Sequence, residues 1–356
     1  MRIPAIGLFI LCSGLLLSGC GTYVRHGLDP AWVQQIETTI LAPLPALTRE
    51  REDQILALNP EHVTEKDVRE VLKDAPAPHF FNIHGGVARV IPRMVCFSKF
   101  LMGMGYPGRS ITNPSDGTYS FSCYESADKI AGVVAWYYER DGLRPMLTGH
   151  SQGGMQVVKV LHRLAGHFPL HVWNPLTWKE EERCEITDPL TGKKRPVVGL
   201  EVSFASALGA GGLTRMLPNQ WEMTTCLHDV PDSVEEFIGF CKEKDLLGGD
   251  YLGYTSANHY EATGKALVRN VWLPSHEKHG SIPNTEHLLQ SQQIMDWLNN
   301  YKPTGEAVSR PQVEVAFDSD SRHILWAGEM WYTIKKHWVL ELQRSIRARR
   351  VLRHDH

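Results

Sequence analysis

The sequence predicts an α/β fold with a mostly parallel central sheet and helices on both faces. Three observations carry this. Short apolar runs of strand length alternate with segments whose apolar residues recur at helical spacing. Several of those runs close on glycines or other small residues, as strands do when they hand over to a turn. The 356 residues, 42% hydrophobic and 22% charged, also hold enough apolar material for a large core. A formal net charge of −3 gives no signature of a nucleic-acid partner.

The chain opens with Arg2 and the apolar run IPAIGLFILCSGLLL, which is too short and too poorly flanked for a stable membrane span. Residues 1–19 are expected to be a signal segment, outside the fold. The run ends in LLSGC, and small residues before a Cys resemble the lipobox of bacterial lipoproteins. That resemblance implies cleavage before Cys20, a diacylglycerol on its thiol and a lipid-anchored place in the bacterial cell envelope. Gly21, rather than Asp, follows Cys20, which by the same resemblance leans toward the outer membrane.

Residues 20–75 read as an N-terminal helical segment, with DPAWVQQIETTILAPL and TEKDVREVLKDA as its helices. Thr64 with Asp67 three residues on fits a capping box. The segment either packs on the body or spaces it from a membrane. Within a core spanning 76–300, HFFNIHGG reads as a short buried strand closing on glycines. RMVCFSKFLMGMGYP and SADKIAGVVAWYYERDG follow as helices, RPMLTG as a strand and MQVVKVLHRLAGHF as a helix. The alternation resumes with strands in RPVVGLEVSFASALGAGG, VEEFIGFCKEKD and ALVRNVWLPS. NTEHLLQSQQIMDWLNNY is predicted as one helix that Asn284 could cap.

Two stretches break the rhythm. Residues 168–195 contain DPLTGKKRP, a turn-rich string that predicts an inserted hairpin. Residues 209–233 mix apolar and turn residues and are expected as a cap-like insertion or a surface loop. Residues 301–356 form a C-terminal extension: a loop, then HILWAGEMWYTIKKHWVLELQRSIRARRVLRHDH, a long helical pattern with a basic end. It could lie on a lipid surface or pack on the body with its Arg-rich end solvated. The ten Trp are expected mainly in packing. Of seven Cys, Cys12 would leave with the signal and Cys20 would be lipidated. Cys96, Cys123, Cys184, Cys226 and Cys241 remain, an odd number that leaves at least one thiol free, and Cys96 with Cys123 is a possible bridge. No CxxC or HExxH spacing occurs, so a structural zinc or zincin site is not predicted.

The most informative string is MLTGHSQGGMQVVKVL, residues 146–161. An apolar strand stops at G-x-S-x-G and passes straight into a helix, the arrangement of a nucleophile elbow. Gly149 and Gly153 allow the tight strand–helix crossing. Ser151 would stand clear as nucleophile, and the helix would aim its N-terminal N–H groups, beginning with Gln152, at a developing oxyanion.

With LTGHSQGG and, upstream of it, FNIHGG at residues 81–86, the sequence resembles the α/β-hydrolase superfamily, specifically its lipase and esterase branch, over roughly residues 77–300. The resemblance implies an α/β-hydrolase fold and a Ser–acid–His order. It also implies a second oxyanion N–H from Gly86 or Val87, with His84 ordering that loop and His150 packing beside the nucleophile. The acid expected at the exit of VEEFIGFCKEKDLLGGDYLG is Asp245, with Asp250, Asp229 and Asp232 as alternatives. The base is sought in NVWLPSHEKHGSIPNTEHLL, where His279 lies mid-loop ahead of a helix, with His287 and His276 as alternatives. The activity implied is carboxylic-ester hydrolysis of a small-molecule or lipid ester through an acyl-enzyme, serine chemistry that needs no metal or organic cofactor. The same residues would serve a thioesterase, amidase, acyltransferase or polyester depolymerase, and a non-catalytic envelope lipoprotein could keep the scaffold.

Overall fold

The computed structural model describes residues 30–87, 90–166, 169–210, 218–223, 225–242, 245, 247–248, 259–274, 276–303 and 322–354. Residues 1–19, expected to be a signal segment, lie outside these residues, as do Cys20, Asp250 and part of the 209–233 insertion.

Four largely buried runs and a more exposed outer one form the central sheet: β1 (Phe80–Ile83), β2 (Met146–His150), β5 (Val202–Leu208) and β7 (Val234–Lys242), then β9 (Leu267–Leu273). Their spatial order is β1-β2-β5-β7-β9, and every pairing is parallel. Such pairing needs crossovers that cover both faces, so the strands read as apolar runs rather than as alternations. Adjacent residues serve opposite faces. Phe80, Met146, Phe204 and Ile238 join one apolar cluster, while Phe81, Leu147, Ala205 and Phe237 join another. Outside β1, Phe121 adds one further parallel rung against Ile83.

Helices α1 (Pro30–Thr39) and α2 (Arg49–Ala57) precede the sheet, and Thr48 caps α2 by accepting from Arg51 N. The capping box at Thr64 and Asp67 forms as expected, on a helical turn (Glu65–Asp67) that runs on into a π-helical turn over Val68–Leu72. Helix α3 (Ile91–Gly103) follows β1. Helix α4 (Ala127–Asp141) is capped by Ser126 and ended by Gly142 at φ 69. Helix α5 (Gln152–Ala165) continues from β2, α6 (Gln292–Asn300) follows β9, and α7 (Ile324–His354) closes the described chain. The second cluster is filled from α4 and α5, and the first from α3, α6, α7 and residues 55–75. The N-terminal segment therefore packs on the body, with Ile55, Val63, Val68 and Leu72 in the core.

The long C-terminal helix packs on the body too, and more deeply than an amphipathic surface helix would. Trp326, Trp331 and Trp338 are wholly buried, and several of its buried polar residues have partners. Glu329 accepts from Arg269 at 2.7 Å and from Tyr301 Oη at 2.6 Å, and Lys335 donates to the Val63 and Asn299 carbonyls. Its Arg-rich end is only partly solvated, since Arg344 bonds Glu341 and Arg350 bonds Glu52. No described helix is long and apolar enough to cross a membrane.

Two expectations are corrected. Residues 284–301 do not form one helix: a 3-10 turn over Glu286–Gln290 comes first, and α6 starts only after Ser291. Ser291 is extended (φ −115, ψ 118) and takes the cap, its Oγ accepting from Ile294 N, so Asn284 is not the cap. Cys96 and Cys123 are not bridged to each other: both thiols are free, as is that of Cys184. The Cys123 thiol instead faces Gln152 Oε1 at 3.7 Å, and burial pushes it up to about 12. The 168–195 insertion carries the expected hairpin, β3 (Glu185–Thr187) against β4 (Lys194–Pro196). In 209–233 the described part holds a 3-10 turn (Pro218–Met223) and β6 (Asp229–Val230), which pairs with β8 (Glu261–Ala262).

Acid should loosen the joint between α7 and the sheet. Burial pushes the Glu236 carboxyl up, but hydrogen bonds from His337 (3.1 Å) and Lys336 (3.0 Å), with their charges, outweigh it and hold the group at about 2. A carboxyl lowered on folding contributes stability that is complete above its unfolded value of 4.5 and is lost as pH falls through the folded one. Urea unfolding between about pH 5 and pH 2 should show stability declining in the native protein. The decline should be shallower in Glu236→Gln, and equal slopes in the two proteins would refute this role for Glu236.

Candidate active site

Every residue of the expected site lies just beyond the carboxyl end of a sheet strand, where parallel α/β sheets offer a crevice. β2 ends at His150, and Ser151 has φ 56 and ψ −121, a conformation that L residues rarely adopt. Two glycines make room for it. A Cβ at Gly149 would stand 2.1 Å from the Gly153 carbonyl oxygen, and one at Gly153 would stand 2.2 Å from the Ile83 oxygen. No side chain fits either place, so the sequence spacing follows from backbone passing against backbone. The Ser151 N–H is tied to the Leu208 carbonyl at the end of β5, at 2.8 Å.

The turn after β1 closes one side of the serine. A Cβ on Gly85 would lie 3.2 Å from Ser151 Cβ. His84 Nδ1–H donates to the Gly85 carbonyl at 2.9 Å, and burial pushes this imidazole toward its neutral form. Tyr124 Oη donates to the Gly86 carbonyl at 2.7 Å. Among the described residues, no hydrogen bond takes up the N–H of Gly86, Val87 or Gln152, the three expected oxyanion donors.

The acid and base meet from two further loops. Asp245 follows β7 and is buried, and His279 opens a short 3-10 turn (His279–Ser281) between β9 and α6. His279 Nδ1 lies 2.7 Å from Asp245 Oδ2. The other carboxylate oxygen, Oδ1, accepts from Gly248 N at 2.9 Å. Burial alone would raise the Asp245 carboxyl, but the His279 hydrogen bond and charge and the Gly248 N–H outweigh it, so the group sits below its ordinary value and stays ionised. With Nδ1–H committed to the carboxylate, the neutral imidazole presents Nε2 as its acceptor. Ring and serine flank one turn. A Cβ at Gly209 (φ 58) would be 2.9 Å from His279 Cε1, and the residue before it, Leu208, receives the Ser151 N–H.

Ser151, Asp245 and His279 thus lie on the carboxyl-end side of the sheet. Two of the alternative acids go elsewhere. Asp232 caps the Lys265 and Ala266 N–H groups, and Asp229 lies in β6. It is His279, not His276 or His287, that takes the Asp245 carboxylate. Three contributors escape a reading of the sequence: Tyr124, Gly248 and Arg93, whose guanidinium bonds the Gly280 carbonyl. Only Gly248 leaves a signal there, in the glycines that follow Asp245. Chemically, a serine on a strained strand–helix turn, whose preceding residue His150 contacts His279 of an ionised carboxylate–imidazole pair, suits covalent attack on a carbonyl. No protein-family model matches the chain, and no curated protein matches it either.

Proposed function

We propose that the protein is a serine carboxylic-ester hydrolase of the α/β-hydrolase type, acting through Ser151, His279 and Asp245. The observation that carries the reading is the pairing of a positive-φ serine at a strand–helix junction with an Asp245–His279 hydrogen bond on neighbouring loops. His279 Nε2 takes the Ser151 proton as Oγ attacks the ester carbonyl, and Asp245 stabilises the resulting imidazolium. The oxyanion accepts from the N–H of Gln152, at the start of a 14-residue helix, and from that of Gly86 or Val87. His279 then protonates the leaving alcohol, and water clears the acyl-enzyme by the same route.

The test is covalent. A fluorophosphonate should add to the folded protein once per chain, and peptide mapping should place it on Ser151. Labelling should stop after heat unfolding, and p-nitrophenyl butyrate turnover should fall in step with it. A folded protein that takes no label, or takes it on another serine, refutes the reading.

A further inference from the structure

The loop that carries His279 is tied to the sheet by side chains. Among the described residues, the backbone hydrogen bonds within 274–285 are local: Glu277 N to Pro274 O, Ser281 N to Lys278 O, Asn284 N to Ser281 O and Thr285 N to Pro283 O. None reaches a strand. Two consecutive carbonyls of the loop are instead gripped from the body. His150 Nε2 lies 2.8 Å from the His279 carbonyl oxygen, and the Arg93 guanidinium, from the first turn of α3, bonds the Gly280 carbonyl oxygen.

The His150 contact has a fixed chemistry. A carbonyl oxygen only accepts, so Nε2 carries the proton. Nδ1 is then bare, and it is buried with no hydrogen-bond partner among the described residues. Burial, and then the neighbouring His279, push this imidazole down to about 3, so it stays neutral at any pH at which an ester hydrolase is assayed. Its ring stands 4.7 Å from the His279 ring, centroid to centroid. An imidazole buried with one nitrogen unsatisfied is a poor choice for packing alone. It is a suitable choice for a neutral donor that must reach a carbonyl beside a ring that becomes cationic. One peptide bond separates His150 from Ser151, so the residue that grips the base's backbone shares its backbone with the nucleophile.

We propose that His150 is the positioning residue for the base: its Nε2–H holds the His279 carbonyl, with Arg93 holding the next one, and so fixes where the His279 imidazole stands relative to Ser151. This rests on the serine-hydrolase reading above. His150 touches no reacting atom and transfers no proton.

The test uses two amides of opposite reach. The Gln amide nitrogen can occupy the place of imidazole Nε2, whereas the Asn amide nitrogen matches Nδ1 and falls short. Fluorophosphonate labelling rates and kcat and KM for p-nitrophenyl butyrate would be measured for native protein, His150→Gln and His150→Asn. Each would be made with His279 present and in a His279→Ala background. His150→Gln should keep kcat within about fivefold, whereas His150→Asn should lose about a hundredfold in kcat, the scale of an ångström's misplacement, with KM within about twofold. With His279 replaced by Ala, the Asn substitution should cost less than about threefold, because the group it positions is gone. Should His150→Asn fail to fold, Arg93→Met at its half-exposed site carries the same comparison, with an expected loss of about tenfold that also vanishes with His279→Ala. Three results overturn the proposal: an Asn variant of native activity, an Asn cost undiminished by His279→Ala, or a folded Gln variant as impaired as the Asn variant. Native protein that takes no label at Ser151 instead refutes the hydrolase reading, so the two failures are distinct.

Discussion

Asp245→Asn should lower kcat for an activated ester by about ten-thousandfold while leaving the fold and KM nearly unchanged. The reason is the fixed orientation of the new amide. Gly248 N–H already donates to Oδ1, so the Asn oxygen must stay on Gly248. The amide NH2 then faces His279 Nδ1, which sits 2.7 Å from the present carboxylate oxygen. A donor there forces Nδ1 to accept and moves the imidazole proton to Nε2, where it blocks removal of the Ser151 proton. Loss of the negative charge also withdraws stabilisation from the imidazolium. Steady-state kinetics at about pH 8, with circular dichroism to verify folding, would measure this. A loss of less than about tenfold would mean that Asp245 is not the acid of this site.

The second large effect concerns stability. Trp338→Ala should cost about 3–5 kcal/mol, the range for removing a large aromatic side chain from a packed core. Trp338 is wholly buried, its ring 5.0 Å from that of Tyr106, and its Nε1–H donates to the Pro76 carbonyl at 2.7 Å, just before β1. Truncation opens a cavity in the first apolar cluster and leaves a buried carbonyl without its donor. Trp338→Phe keeps most of the volume and should fall between the two. Urea titration with a fluorescence readout would measure the series. A Trp338→Ala cost below about 1 kcal/mol would contradict the buried placement of α7.

The fold class was legible because strand and helix periods differ, and buried parallel strands announce themselves as short apolar runs. The elbow was legible residue by residue, since only glycine fits where Gly149 and Gly153 pass backbone. His279 could be preferred over His276 and His287 by its place in a loop, but its meeting with Asp245 depends on how two loops 34 residues apart converge, which no local pattern encodes. The stretch 284–301 misled for a related reason. Its apolar spacing is helical throughout, yet Ser291 prefers an extended backbone and a cap bond, which splits the segment. The burial of α7 was open on sequence alone, because Glu329, Lys335, His337 and Glu341 look like a solvated face until their partners are known. His150 read as packing; the carbonyl it holds lies 129 residues away.

The placement of α7 also bears on how the molecule is made. Trp326, Trp331, Trp338 and Ile346 share one apolar cluster with strand residues of the sheet and with residues 55–72, and they are made long after those strands. Until residue 346 has been synthesised, that side of the sheet is covered only by α3, α6 and residues 55–75, so the nascent chain must wait with part of its apolar surface uncovered. That cluster is therefore completed only after α7 has been made, and chaperone dependence should track the time that interval lasts.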